Sequence, residues 1–197
     1  SLTVMAPAGV GASRVVLMGL GEAERFDDLA AQAYGGRAYK AVAGTGDKSA
    51  VIAIDPVSGA KIKTSGVSAN AAYGALLASY RFDKYRTKEK ADAKPSIKTL
   101  ILSSRDSADA KKAFAPLAKI ADGVFFTRDL VSEPANILYP VTLAAQAKTL
   151  EKLGVKIQVL DEKQMAKLGM GALLGVAQGS AQKPRLVVMR WDGAPKA

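Results

Sequence analysis

"PVTLAAQAKTLEKLGVKIQVLDEKQMAKLG", residues 140–169, decides the fold class, because helix, strand and helix signals follow one another without interruption. Pro140 sits near the start of a helix on which Leu143, Ala147 and Leu150 recur on one face, and Gly154 supplies a left-handed end position. "VKIQVL" (155–160) alternates apolar and polar side chains with the period of a strand. Asp161 then caps "DEKQMAKLG", with Gln164 placed to bond back to the cap.

The same alternation runs through the rest of the chain. "RVVLMGL" (14–20), "SAVIAI" (49–54), "SIKTLILS" (96–103) and "PRLVVMRW" (184–191) read as strands, the last of them buried. "EAERFDDLAAQAYGG" reads as an amphipathic helix from Glu22, stopped by Gly35 and Gly36, and "DPVSG" (55–59) as a turn. "SANAAYGALLASYRF" (68–82) carries Tyr73, Leu76, Leu77 and Tyr80 on one helical face. Phe114, Leu117, Ala121, Val124 and Phe125 keep a helical face through 111–138 until Pro134 halts it, and a helix of this length predicts a domain boundary near residue 111. Strands alternating with helices predict α/β layers around a largely parallel sheet.

Gly169, Gly171, Gly175 and Gly179 raise the question of a phosphate cradle. Such a loop should feed a helix N-terminus, whereas this run leads to the strand beyond Pro184, so turns and close backbone packing are the expectation. "MGLGEAE" follows a strand and opens a helix, but Glu24 stands where a dinucleotide fingerprint needs its third glycine and would repel a pyrophosphate. "AGTGDKS" (43–49) mimics a phosphate loop, yet Asp47 replaces the glycine before the lysine and a strand follows, so it reads as a hairpin or loop.

Composition narrows the chemistry further. Of 197 residues, 49% are hydrophobic and 23% charged, as in ordinary globular domains. No apolar run approaches the ~18 residues of a membrane span. The opening "SLTVMAPAG" lacks the basic and apolar regions of a secretory signal, and with no initiator Met the N-terminus is expected upstream of Ser1. The absence of Cys fits a cytoplasmic enzyme, and the absence of His removes imidazole bases, Ser-His-Asp triads and His-built zinc sites. The charge of +10 points toward acidic partners or a lysine-rich solvated surface. "YRFDKYRTKEKADAKPSIK" (80–98) concentrates that charge, with Tyr80, Phe82 and Tyr85 among the cations. Lys84, Arg86 and Lys88 are the candidate nucleic-acid contacts, aromatic stacking supplementing phosphate attraction; the competing reading is a helix end with inward-packed aromatics.

One order of motifs is distinctive: "TRDLVSEPANILYPVTLAAQA", with its R-D-L helix end and E-P-x-N turn, then the strand, the capped "DEKQM" helix and "LGMGALLGVAQGS". Over 127–193 this resembles the entry into the catalytic domain of the leucyl aminopeptidase family, cytosolic two-metal exopeptidases, while "RVVLMGLGE" and "YRFDKYRTK" resemble its N-terminal domain. The resemblance implies a small α/β domain, macrodomain-like, over 1–110 and incomplete at its start. A linking helix and turn follow over 111–138. Residues 139–197 then begin a three-layer α/β/α aminopeptidase domain. It implies a structural glycine-rich segment, two divalent ions (zinc or manganese) in the full-length protein, a peptide substrate, a homo-hexamer, and the missing C-terminal catalytic portion as a partner. The family's ligand-bearing runs, G-K-G-x-x-F-D-T-G-G and N-T-D-A-E-G-R, do not occur, the sequence stopping at "DGAPKA" where the first is expected. No residue here therefore inherits a catalytic or metal role. Asp161, Glu162 and Asp192 read as cap or turn residues. The alternative function is a nucleic-acid-binding or non-catalytic assembly module.

Overall fold

The computed structural model describes residues 1–56 and 58–193. The chain forms two compact α/β units, Ser1–Thr127 and Arg128 onward.

In the first unit, β1 (Leu2–Met5) and β2 (Arg14–Leu17) form an antiparallel hairpin. Gly21, at φ +85°, turns the chain into a 3-10 helix, Ala23–Arg25, and α1 follows over Asp28–Val42. Asp27 starts α1 by accepting the Ala30 N–H at 2.8 Å. Then come β3 (Ser49–Ala53), α2 (Thr64–Ser79), β4 (Thr99–Ser103) and α3 (Ser107–Ser132), whose last residues, from Arg128, belong to the second unit. The turn expected at "DPVSG" includes Val57, which lies outside the described residues.

β3 and β4 pair in parallel, Ala50 facing Leu100 and Ile52 facing Leu102. Ile52 and Ile54 reach Phe26, Ala31, Ala38, Val67 and Ala71 from α1 and α2 and their approaches, forming one buried cluster with Leu100 and Leu102 at its margin. Gly35 and Gly36 do not stop α1; the helix runs through both. A methyl on Gly35 would collide with the Ala71 carbonyl, and one on Gly74 with the Gln32 carbonyl. The two helices therefore touch backbone to backbone, and a contact made by residues far apart in sequence leaves no local signal that separates these glycines from a helix end. Asn70, buried in the same seam, accepts a bond from Gln32 Nε2 at 2.8 Å and donates to Asp28 Oδ1 at 2.9 Å, so its burial leaves the amide satisfied.

In the second unit, α4 (Pro140–Lys148) continues as a 3-10 turn to Leu153 and ends at Gly154, φ +87°. β5 (Lys156–Leu160), α5 (Glu162–Lys167), α6 (Gly171–Ala177) and β6 (Leu186–Arg190) follow. The Asp161–Gln164 box closes with two reciprocal 2.9 Å bonds.

Three further expectations need correction. Among the described residues the strands form three separate pairs, of which only β3–β4 is parallel, β5 and β6 running antiparallel; the largely parallel sheet is not present. The glycine run is partly helix: Ala172, Leu173 and Leu174 favour α6, and methyls at Gly169, Gly171, Gly175 or Gly179 would meet nothing within 4 Å, so these four glycines make no close backbone contact. β6 is not buried, its side chains passing from half-buried at Leu186 to exposed at Arg190.

The seam gives the first prediction. Gly35→Ala should lose about 2–3 kcal/mol in urea unfolding, because the clash is with rigid backbone. Gly36→Ala, whose methyl would sit an ordinary 3.5 Å from the Gly74 carbonyl, should be neutral or gain up to about 1 kcal/mol from helix propensity. Equal effects at the two positions would refute the backbone contact.

Candidate functional site

The two nucleotide-like segments are closed by the protein's own carboxylates. In the 43–49 loop, Asp47 accepts hydrogen bonds from Ser13 Oγ at 2.8 Å and Thr45 Oγ1 at 2.9 Å, and its Oδ2 lies 2.8 Å from Arg14 Nε. The Gly46 N–H, which a phosphate would need, donates to Ser96 Oγ at 3.0 Å. The hydrogen bonds from Ser13 and Thr45, with Arg14 adding its charge, hold the Asp47 carboxyl below its ordinary pKa of 3.8. At "MGLGEAE" a positive-φ turn and a 3-10 helix precede α1, and the α1 N-terminus already carries Asp27 and Asp28. Neither segment is a phosphate cradle.

The basic stretch is a loop beyond the end of α2 at Ser79. Arg81 points both ways into it: Nη2 is 2.6 Å from each Glu89 carboxylate oxygen, and Nε is 3.8 Å from Asp83. Glu89 holds the Arg81 pKa further up, so this cation is committed to the loop. Tyr80 packs on Phe125 at 5.3 Å between ring centres, and Phe82 meets Tyr85 edge-on at 5.8 Å. Tyr80 and Phe82 are half-buried, which leaves Tyr85 as the exposed ring, with Lys84 Nζ 5.4 Å from its centre. Lys84, Arg86 and Lys88 are all exposed on this one loop, and Arg86 reaches Glu89 at 3.7 Å.

The acidic residues of the second unit are dispersed. Asp161 serves its helix cap. Glu162 lies 3.6 Å from Lys183 and 3.8 Å from Arg185, and Asp192 lies 2.8 Å from Lys156 and 3.3 Å from Arg190. Among the described residues no three His, Cys, Asp or Glu side chains converge on a point. A two-ion centre needs several oxygen donors around each ion, and carboxylates already facing lysine and arginine do not supply them. The residues present do not fit the metals that the resemblance implies.

This architecture is that of a two-domain family. Residues 1–89 match the cytosol aminopeptidase family, N-terminal domain, and residues 125–197 match the cytosol aminopeptidase family, catalytic domain. The chain belongs to this family and comprises its N-terminal domain and the start of its catalytic domain.

Among its relatives, the probable cytosol aminopeptidase of Caulobacter vibrioides is 47% identical over 194 residues, a match covering 98% of this chain and 38% of that protein. The probable cytosol aminopeptidase of Rhizobium leguminosarum bv. trifolii is 46% identical over 199 residues, again with 98% and 38% covered. The chain thus spans less than two fifths of the length of these relatives. Two solved structures share the fold. The bottromycin maturation enzyme BotP, in complex with Mn, superposes with a TM-score of 0.79 at 24% identity, over 97% of this chain and 39% of that one. A mutant tomato leucine aminopeptidase does so with a TM-score of 0.77 at 23% identity, over 95% and 37%.

Asp47 provides a pH test. A carboxyl whose pKa is depressed on folding adds stability above its unfolded value and loses it as pH falls through the lower folded one. Asp47→Asn should therefore melt below the parent at neutral pH, and the gap should close as pH drops past about 3.8. A gap that stays constant on acidification, followed by thermal melts, would show that Asp47 acts through shape and not charge.

Proposed function

We propose that this chain is the N-terminal portion of a metal-dependent, leucyl-type aminopeptidase that releases N-terminal amino acids from peptides by a two-metal-activated water. The observation that carries the reading is the paired match to the family's two domains, in order, at 47% identity to a probable cytosol aminopeptidase. Residues 1–110 act as a regulatory or assembly domain, 111–138 connect, and 139–197 open the catalytic domain. The two ions, zinc or manganese, are held by residues outside this chain, in keeping with a set of carboxylates that is dispersed among the described residues. The relatives' names support a cytosolic location, and a homo-hexamer is the assembly that the family resemblance implies.

The test is hydrolysis of leucine amide by a protein that carries this segment at full family length. Activity should vanish on prolonged chelation and return with Mn or Zn, while residues 1–197 alone stay inactive at every metal concentration. Turnover that survives chelation would refute the two-metal reading, and turnover by 1–197 would refute the placement of the chemistry.

A second reading rests on the loop that exposes Lys84, Arg86 and Lys88 beside the Tyr85 ring: the segment acts as a nucleic-acid-binding module. Fluorescence anisotropy with duplex DNA should then show affinity that falls with salt and drops roughly tenfold or more on reversal of all three charges. No binding at low salt excludes it.

A further inference from the structure

We infer that Glu89 is an autoinhibitory contact: its carboxylate occupies the Arg81 guanidinium, and a nucleic-acid backbone that displaces it recruits Arg81 as a further phosphate contact. The inference deepens the nucleic-acid reading of this loop and rests on it.

From Tyr80 to Lys90 the sequence holds five cations, Arg81, Lys84, Arg86, Lys88 and Lys90, and two acids, Asp83 and Glu89. Both acids face Arg81. Its Nε lies 3.8 Å from Asp83, and its Nη2 lies 2.6 Å from each carboxylate oxygen of Glu89. This is not the pairing of neighbours on a helix, because residues 80 to 90 form neither helix nor strand. Two successive turns bring Glu89 back beside Arg81: the Arg86 N–H donates to the Asp83 carbonyl at 2.9 Å, and the Glu89 N–H to the Arg86 carbonyl at 3.5 Å. Arg86 Nη1 approaches the same carboxylate at 3.7 Å, so one anion sits between two guanidinium groups.

A phosphodiester carries the same charge as Glu89 and, like it, accepts parallel bonds from a guanidinium. The Glu89 side chain is 12% exposed and that of Arg81 29%. Withdrawing Glu89 into water alone would leave a half-buried cation without its counter-charge, which keeps the contact closed in the absence of a polyanion. A phosphate arriving as Glu89 leaves restores that charge. Lys84, Arg86 and Lys88, exposed on the same loop, draw the phosphate in. The loop has an anchor for the exchange, since Tyr80 packs on Phe125 while the turns that carry Glu89, residues 83 to 88, are exposed.

The experiment is fluorescence anisotropy with duplex DNA on the 197-residue chain, run as a salt series. Glu89→Gln should bind roughly fivefold or more tighter than the parent at about 0.1 M salt, and the slope of log affinity against log salt should steepen by about one, as one further phosphate contact requires. Asp92→Asn makes the same charge change at an exposed position of the same basic stretch and should gain no more than about twofold. Adding Arg81→Gln to Glu89→Gln should return both affinity and slope to those of the parent. Glu89→Asp keeps the charge but shortens its reach; it should shift affinity in the same direction, and it replaces Glu89→Gln if that variant loses its circular dichroism. A gain no larger than that of Asp92→Asn, or one that survives the loss of Arg81, overturns the inference and leaves the nucleic-acid reading standing. Binding by Glu89→Gln with a silent parent supports the inference and removes that reading for the parent. No binding by any variant at low salt overturns both.

Discussion

The backbone contact between α1 and α2 is the constraint on which the first unit depends. Gly35 against Ala71 and Gly74 against Gln32 admit no side chain, so the two helices meet backbone to backbone. That proximity explains the small residues at Ala31, Ala38, Ala71 and Ala75, all buried, and it brings Asn70 within reach of both Gln32 and Asp28. A polar trio in a tight seam tolerates only the register in which each bond is made, so it selects one alignment of the helices. Fixed in this way, the pair presents Ala31, Ala38, Val67 and Ala71 to Ile52 and Ile54 as one apolar layer.

The second unit is built on the opposite principle. Its elements are defined by local devices, the Gly154 turn and the Asp161–Gln164 box, which specify where helices begin and end around a small core of Ala144, Leu160 and Met165. Trp191 lies against Gly154, a methyl at that glycine falling 3.1 Å from the indole, yet most of the ring faces solvent. Local specification and sparse burial go together in a unit that matches the start of the family's catalytic domain.

What could be read from the sequence divides along the same line. The capping box, the left-handed Gly154, the strands at 49–54 and 96–103 and the halt of α3 before Pro134 were all legible, because each is written in neighbouring residues. Gly35 and Gly36 were misleading, since a helix-end glycine and a helix-contact glycine look alike until the partner helix is placed. The strand "LTVM" drew no prediction because β2 is what makes it one. "LVVM" promised burial that this unit does not contain. Function was legible only through the order of motifs across 127–193. The candidate loop was legible by its charge, but the folding back of Glu89 onto Arg81, with Arg86 also in its reach, was not.

The central claim is that the aminopeptidase chemistry lies beyond these residues. Its most direct measurement is calorimetric titration of Mn or Zn into residues 1–197 alone, with the metal content of the protein checked after dialysis. The account predicts no stoichiometric binding at micromolar metal. Uptake of two ions per chain at that concentration would contradict it and would place the metal centre within this segment.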